Sequence, residues 1–125
     1  MLRIGGREID AVLFDAGGIF VIPDPTVLAP LLAYFGATTD PMAYHRAHYR
    51  GMAAKSAAAA PESDWSSYDL AYVETVGVPT HDVSFAASIL GRTRHAWLWR
   101  WPLQDSVDAL RELHRRNVPI GVVIN

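Results

Sequence analysis

A short apolar run that ends in an acidic residue and two glycines constrains the fold of this chain most. Residues 11–14 are Ala-Val-Leu-Phe, a run that predicts a strand buried on both faces, as strands of parallel sheets are. Asp15 follows at its C-terminal end. In open α/β sheets, ligands bind beyond the carboxyl ends of the strands. The pattern therefore predicts that the Asp15 carboxylate faces a binding site.

Gly17 and Gly18 follow Asp15 almost at once. Two residues without a Cβ allow a sharp departure from the strand and leave backbone groups accessible to a ligand or ion. An Asp before two glycines is also a common turn, in which the carboxylate caps its own backbone. The residues themselves leave both interpretations open.

The segments around this loop alternate between β and helical patterns. Residues 2–9 contain Gly5-Gly6 and predict a small hairpin or a frayed end. Residues 20–22 are apolar and β-prone until prolines stop them. From about 26 to 92 the pattern is helical. The expected helices run from about residue 26 to a stop at Gly36, from Asp40-Pro41 to Pro61, from a cap at Ser63 or Asp64 to Gly77, and from about 82 to a stop at Gly91.

The last third returns to an α/β pattern. Tryptophans at 97, 99 and 101 alternate, which predicts an extended stretch with three rings on one face. Asp105 or Ser106 is expected to cap a helix, and Asn117 to end it in the left-handed conformation. Residues 118–124 predict a second buried strand. Strand, helices and strand in this order indicate a parallel βαβ unit with a helical insertion in its connection.

The segment from Asp15 to Phe20 resembles the first motif of the haloacid dehalogenase-like hydrolase superfamily, Asp-x-Asp-Gly-Thr/Val-Leu/Ile. Asp15 matches the nucleophile and Gly18 the motif glycine, whereas Gly17 stands at the second Asp and Ile19 at Thr or Val. The resemblance implies an α/β fold in which a partial Rossmann-like parallel core, residues 1–24 and 97–125, carries an inserted α-helical cap, residues 25–96.

The same resemblance implies a chemistry for the loop. Asp15 would be the catalytic nucleophile of a phosphatase, Mg²⁺ would be held by Asp15 and the backbone carbonyl of Gly17, and Gly18 and Asn125 would contact the phosphorylated substrate. Gly17 cannot protonate a leaving group, a loss that typically lowers the rate about 10²- to 10⁴-fold. Ile124 replaces the Ser or Thr of the second motif. A halogenated substrate, displaced by Asp15 without a metal, is the related alternative.

A second interpretation is that the chain has no catalysis of its own. Members of the resembled family carry a Lys or Arg and further acidic residues in later motifs, which these 125 residues do not include. On this view the chain is a truncated or degenerate relative that serves as a binding or interaction module. A two-stranded sheet would then have exposed edges, which predicts pairing with another copy of the chain.

Composition excludes several other classes of protein. Thirteen acidic residues outnumber eleven basic ones, so no basic stripe for nucleic acid is expected. The chain has no cysteine, which removes disulfides and thiolate metal sites. No apolar run approaches a bilayer span and no signal-peptide pattern opens the chain, so a cytoplasmic protein without membrane contact is expected.

Two sets of basic residues are candidates for secondary sites. His45, Arg46, His48 and Arg50 share one helix and suit a phosphate or a metal, but a solvated helix face is the favoured interpretation. Arg92, Arg94, His95 and Arg100 precede or flank the tryptophans, where they would line a cleft or form a soluble basic edge.

Overall fold

The chain forms a mixed α/β structure in which about half of the residues are helical and the sheets are small. The computed structural model describes residues 2–124, apart from the side chain of Ala96. None of the helices in this range is long and apolar enough to cross a membrane. The strands are β1 Leu2–Ile4, β2 Arg7–Ile9, β3 Val12–Asp15, β4 Val21–Pro23, β5 Trp99–Pro102 and β6 Ile120–Val123. The helices are α1 Pro25–Ala33, α2 Pro41–Ala57, α3 Ser66–Thr75, α4 Val83–Arg92 and α5 Gln104–Arg115.

The structure divides into two units, and the second is inserted in the sequence of the first. Unit 1 comprises Met1–Ile22 and Pro102–Asn125, and unit 2 is Pro23–Trp101. Strands β4 and β5 pair as a sheet of two, and both boundaries fall within these strands.

Unit 1 contains an antiparallel hairpin and a parallel strand pair. The hairpin joins β1 to β2 through Gly5 and Gly6, as predicted, with Leu2 opposite Ile9. β3 pairs with β6 in parallel, from Val12 beside Ile120 to Asp15 beside Val123. The predicted parallel pair is therefore confirmed, with helices in the connection between its strands.

The prediction that these two strands are buried on both faces is wrong. Leu13 of β3 is 71% exposed, and Val123 of β6 is 57% exposed. The Leu13 side chain lies over Gly121, where an added Cβ would come within 2.7 Å of it. Parallel sheets bury both faces only when helices cover both. In the part of the chain that the structure describes, this sheet has two short strands, and helices do not cover the faces that carry Leu13 and Val123.

Unit 2 contains the main apolar core, built by α1 to α4. Two of these helices begin at an Asp-Pro pair: the carboxylates of Asp24 and Asp40 accept hydrogen bonds from the amides of Thr26 and Met42, at 2.9 and 3.0 Å. The predicted cap at Asp40 is thus confirmed. The side chains of this core with less than 2% exposure include Tyr44, Tyr72, Leu28, Leu32, Val73 and Val76.

Three details of the predicted elements need correction. α4 continues through Gly91 to Arg92, and the absence of a side chain at Gly91 leaves room for the Asp69 carboxylate of α3, which lies 3.3 Å from where a Cβ would stand. α5 begins at Gln104 without a side-chain cap, so Asp105 lies inside its first turn. Trp97 belongs to a 3₁₀ turn and is 74% exposed, so the three tryptophan rings do not line one strand face.

Candidate functional site

Asp15 lies at the carboxyl end of β3 and its side chain is exposed. Its Oδ1 accepts a hydrogen bond of 2.7 Å from the amide of Ala16, the next residue. In the parallel register its neighbour is Val123, the last residue of β6. The structure therefore places Asp15 where the sequence predicted, at the edge of a parallel pair at which ligands of α/β proteins bind. The local carboxylate–amide bond also matches the turn interpretation.

The loop after Asp15 is held by hydrogen bonds to one backbone carbonyl group. The Ala16 carbonyl accepts hydrogen bonds from the amides of Ile19 and Phe20, at 3.2 and 2.9 Å. Gly18 has a φ of +74°, a conformation that L side chains rarely adopt, and its amide donates to the Val21 carbonyl at 2.8 Å. The hydrogen bonds described for this loop do not use the carbonyl of Gly17, so that oxygen stays available to a ligand.

The loop brings together three of the four residues predicted for the site. Asp15, Gly17 and Gly18 are contiguous on one turn, which supplies one carboxylate and one carbonyl oxygen. Asn125 lies outside the described residues. In residues 2–124, no three His, Asp or Glu side chains converge as a metal cage would require. Mg²⁺, however, is commonly held by one or two carboxylates with several waters and substrate phosphates, so Asp15 and Gly17 fit part of its ligand set.

Buried polar groups form a second cluster, in unit 2. His48 is 2% exposed, and its Nδ1 is hydrogen-bonded to the Tyr68 hydroxyl at 2.9 Å. Its ring also packs edge-on against Trp99, with centroids 5.1 Å apart. Burial, with a smaller contribution from the charge of His45, lowers the pKa of His48 to about 4. The favoured interpretation of a solvated face is therefore wrong for His48, which is a neutral core residue at pH 7.

Two cations lie among the aromatic rings of the same cluster. The Lys55 ammonium donates to the carbonyls of Pro61 and Asp64, at 2.6 and 2.7 Å, and lies 4.9 Å from the Trp65 ring centroid. The Arg94 guanidinium lies over the same ring at 4.9 Å and pairs with the Asp69 carboxylate. These contacts satisfy both charges, so both side chains hold the core together.

Asp24 and Arg100, which lie near the two ends of unit 2 in the sequence, form an ion pair. Arg100 Nε donates to Asp24 Oδ2 at 2.6 Å, while Asp24 Oδ1 accepts from the amide and the hydroxyl of Thr26. Burial would raise the pKa of Asp24, but the hydrogen bonds from Thr26 and Arg100 hold it below its ordinary value. The predicted soluble basic edge is therefore only partly right, since Arg94 and Arg100 both have carboxylate partners.

Comparisons with known proteins identify no relative of this chain. No protein-family model matches it, no curated protein matches it, and no solved structure matches it.

Sequence reasoning missed the partners of the buried charges. No motif marks Asp69 in the sequence, although α3 turns it toward Arg94, 25 residues away. Asp24 lies between the two prolines that end the apolar run of residues 20–22, and its partner Arg100 is 76 residues away. No local pattern indicates such pairs. The sequence shows only that both carboxylates lie at or near the start of a helix beside apolar residues, a position that suggests burial.

Proposed function

We propose that this chain is a haloacid dehalogenase-like hydrolase with Asp15 as its nucleophile. In this proposal unit 1 corresponds to a Rossmann-like core and unit 2 to its helical cap. The observation that carries the proposal is the position of Asp15, which is exposed at the carboxyl end of a parallel strand and followed directly by the Gly17-Gly18 turn. The insertion of a helical unit between the two parallel strands supports the same assignment.

The proposed reaction is hydrolysis of a phosphate monoester in two steps. An oxygen of the Asp15 carboxylate attacks phosphorus in line, an acyl-phosphate bond forms, and the ester P–O bond breaks to release the alcohol. Water then cleaves the acyl phosphate, which regenerates the carboxylate and releases phosphate. Since Gly17 has no side chain, the departing oxygen takes its proton from water, and substrates with acidic leaving groups are favoured.

The cofactor implied by this chemistry is Mg²⁺. Asp15 and the carbonyl of Gly17 would hold it, and it would supply neutralisation of the charge that develops on the phosphoryl oxygens. The amide of Gly18 lies in the same turn and is already bonded to Val21, so its role is to set the turn geometry beside the phosphoryl group.

Carbon–halogen displacement is the related reaction that the same nucleophile can perform. The Asp15 carboxylate attacks the carbon that bears the halogen, an ester forms, the halide leaves with the electron pair, and water hydrolyses the ester. A halide needs no proton to leave. The absence of a carboxylate at Gly17 therefore does not disfavour this reaction.

Asp15→Asn should abolish hydrolysis of para-nitrophenyl phosphate in the presence of Mg²⁺. The phenolate leaving group needs little protonation, so Gly17 does not conceal activity, and loss of the nucleophile is expected to lower the rate at least about 10³-fold. Asp10→Asn is the matched control, because Asp10 is an exposed aspartate just before the same strand. Chloride release from chloroacetate is measured in parallel. Equal rates for the wild-type chain and Asp15→Asn on both substrates would refute the proposed function.

A non-catalytic role is favoured by one specific observation, the apolar surface of unit 1. Leu13 of β3 and Val123 of β6 are 71% and 57% exposed, and Ile124, which follows β6, is 75% exposed, an unusual amount of exposed apolar surface around one small sheet. We propose, as the second candidate, that the chain is an interaction module whose β3 and β6 edges pair with another copy.

Sedimentation velocity at micromolar concentration tests this second candidate. The wild-type chain is expected to sediment as a dimer or larger species, and Leu13→Lys is expected to shift it toward the monomer. Val27→Lys, an exposed apolar position in unit 2, serves as the control that should leave the distribution unchanged. A wild-type monomer that melts cooperatively would count against self-association.

A further inference from the structure

A concave site lies in unit 2, apart from the Asp15 loop. Its volume is about 150 Å³, similar to that of a cavity able to hold a benzene ring. It combines apolar walls with basic and hydroxyl groups, the mixture that small-molecule sites usually show. The lining residues are Val27, Thr93, His95, Trp97, Leu98 and Arg100.

The apolar wall offers a flat surface for a ring. Trp97 is 74% exposed, although it is the type of side chain that normally buries most of its large apolar surface. Its ring lies beside the His95 imidazole, with centroids 6.0 Å apart. Val27 and Leu98 supply aliphatic surface in the same site. A planar apolar group entering here would remove part of the Trp97 surface from water.

Arg100 presents unused hydrogen-bond donors to the same space. The guanidinium carries five N–H donors, and its bond to Asp24 uses the one on Nε. Its terminal nitrogens make no contact with a protein acceptor in residues 2–124. Because Asp24 is itself bonded to Thr26, the ion pair anchors the guanidinium through its Nε. A fork positioned in this way matches the two oxygens of a carboxylate or the oxygens of a phosphate.

We propose that this site binds a small organic anion in which a carboxylate or phosphate is attached to a flat apolar ring. The Arg100 terminal nitrogens donate to the anionic oxygens, and the ring lies against Trp97 and the aliphatic wall. The Thr93 hydroxyl donates to the Leu90 carbonyl at 2.9 Å, so toward a ligand it is an acceptor. This inference is independent of the proposed function, because no residue of the Asp15 loop contributes to the site.

Titration calorimetry with benzoate and with phenyl phosphate tests the proposal. Inorganic phosphate has the anionic group without the ring, and it should bind at least about tenfold more weakly than phenyl phosphate. Benzyl alcohol has the ring without the anionic group, and it should bind at least about tenfold more weakly than benzoate. Stronger binding of phenyl phosphate or of benzoate identifies which anion the site prefers, and either preference supports the proposal. In titrations without Mg²⁺, Asp15→Asn should bind benzoate, which carries no phosphoryl group, as the wild-type chain does, and this separates the site from the catalytic proposal.

Two variants locate the binding site. Arg100→Gln is expected to weaken binding about tenfold or more, since it removes a charge-assisted hydrogen bond. Trp97→Ala is expected to weaken binding severalfold. Because Trp97 is exposed, this substitution should leave the fold intact. Arg50→Gln, at an exposed arginine of α2, should change nothing. Wild-type affinity retained by Trp97→Ala and Arg100→Gln, or no binding of either aromatic anion at millimolar concentration, would overturn the proposal.

Discussion

Arg94→Met is expected to lower the free energy of unfolding by about 3 kcal/mol at pH 7, because it leaves the Asp69 carboxylate buried without its counter-ion. The Asp69 side chain is only 10% exposed, and Arg94 is 24% exposed. Methionine keeps most of the aliphatic surface that Arg94 packs against the Trp65 and Tyr68 rings. The loss should therefore come from the charge, and urea denaturation measures it.

The pH dependence of this loss identifies its cause. Burial raises the pKa of Asp69, and Arg94 pulls it in the opposite direction. Without Arg94 the pKa should rise further, so the folded state would bind the proton more tightly than the unfolded state. The contribution of Asp69 to the stability of Arg94→Met is thus expected to be largest below the unfolded pKa of about 3.9 and to fall as the pH rises above it, a trend that appears in the difference between Arg94→Met and the wild-type chain.

Asp69→Asn in the Arg94→Met background provides the control. The amide has nearly the shape of the carboxylate and fits the close approach to Gly91, but it carries no charge. We expect the double variant to recover most of the stability lost at pH 7 and to lose the added pH dependence. A double variant as unstable as Arg94→Met alone would show that packing, not charge, sets the effect.

His48 is expected to make stability fall by about 3 kcal/mol as the pH drops from 6.5 to 4. Its folded pKa of about 4 lies below the unfolded value of 6.5. Between these two values the unfolded chain binds the proton more strongly than the folded one, so acid favours unfolding. The full contribution is present above pH 6.5 and is lost as the pH falls to 4. The groups that face this ring are Tyr68, Trp99, Tyr49 and, one turn away, His45.

The measurement is the free energy of unfolding at pH 7 and at pH 4.5 for three chains. His48→Gln should flatten the difference between the two pH values, even if its stability at pH 7 is lower through loss of the Tyr68 contact. His81→Gln, at a side chain that is 79% exposed, should leave the difference as in the wild-type chain. An undiminished difference in His48→Gln would assign the acid sensitivity to other groups.

The elements that sequence predicted well are those set by local chemistry. Asp40 begins its helix, Gly5-Gly6 turns the hairpin, and Asn117 adopts a φ of +57° where α5 ends. Each signal depends on neighbours within a few residues. The errors concern features that involve residues distant in the sequence: Leu13 is exposed because no neighbour covers it, and Gly91 lies within α4 beside Asp69 of another helix. Local patterns contain no information on either feature.

The candidate site shows the same division. The end of β3, the Asp15 carboxylate and the Gly18 turn follow from the run of residues 11–18, and the structure places them as expected. The sequence offered His95 and Arg100, beside Trp97, as candidates to line a cleft, but it did not predict the contact between Arg100 and Asp24, which is 76 residues away. A pattern read along the chain does not show that these residues meet.

The contacts of Asp24 also determine where the polypeptide enters and leaves unit 2. Its amide donates to the Leu98 carbonyl at 2.9 Å, and its carboxylate holds Arg100. These contacts hold the two ends of a 79-residue segment, Pro23–Trp101, close together. A module whose ends meet can be spliced into a surface connection of another protein without separating the strands on either side of the junction. Unit 2 therefore has the geometry of a domain that can be inserted into another protein, and the Asp24–Arg100 ion pair holds its two ends together.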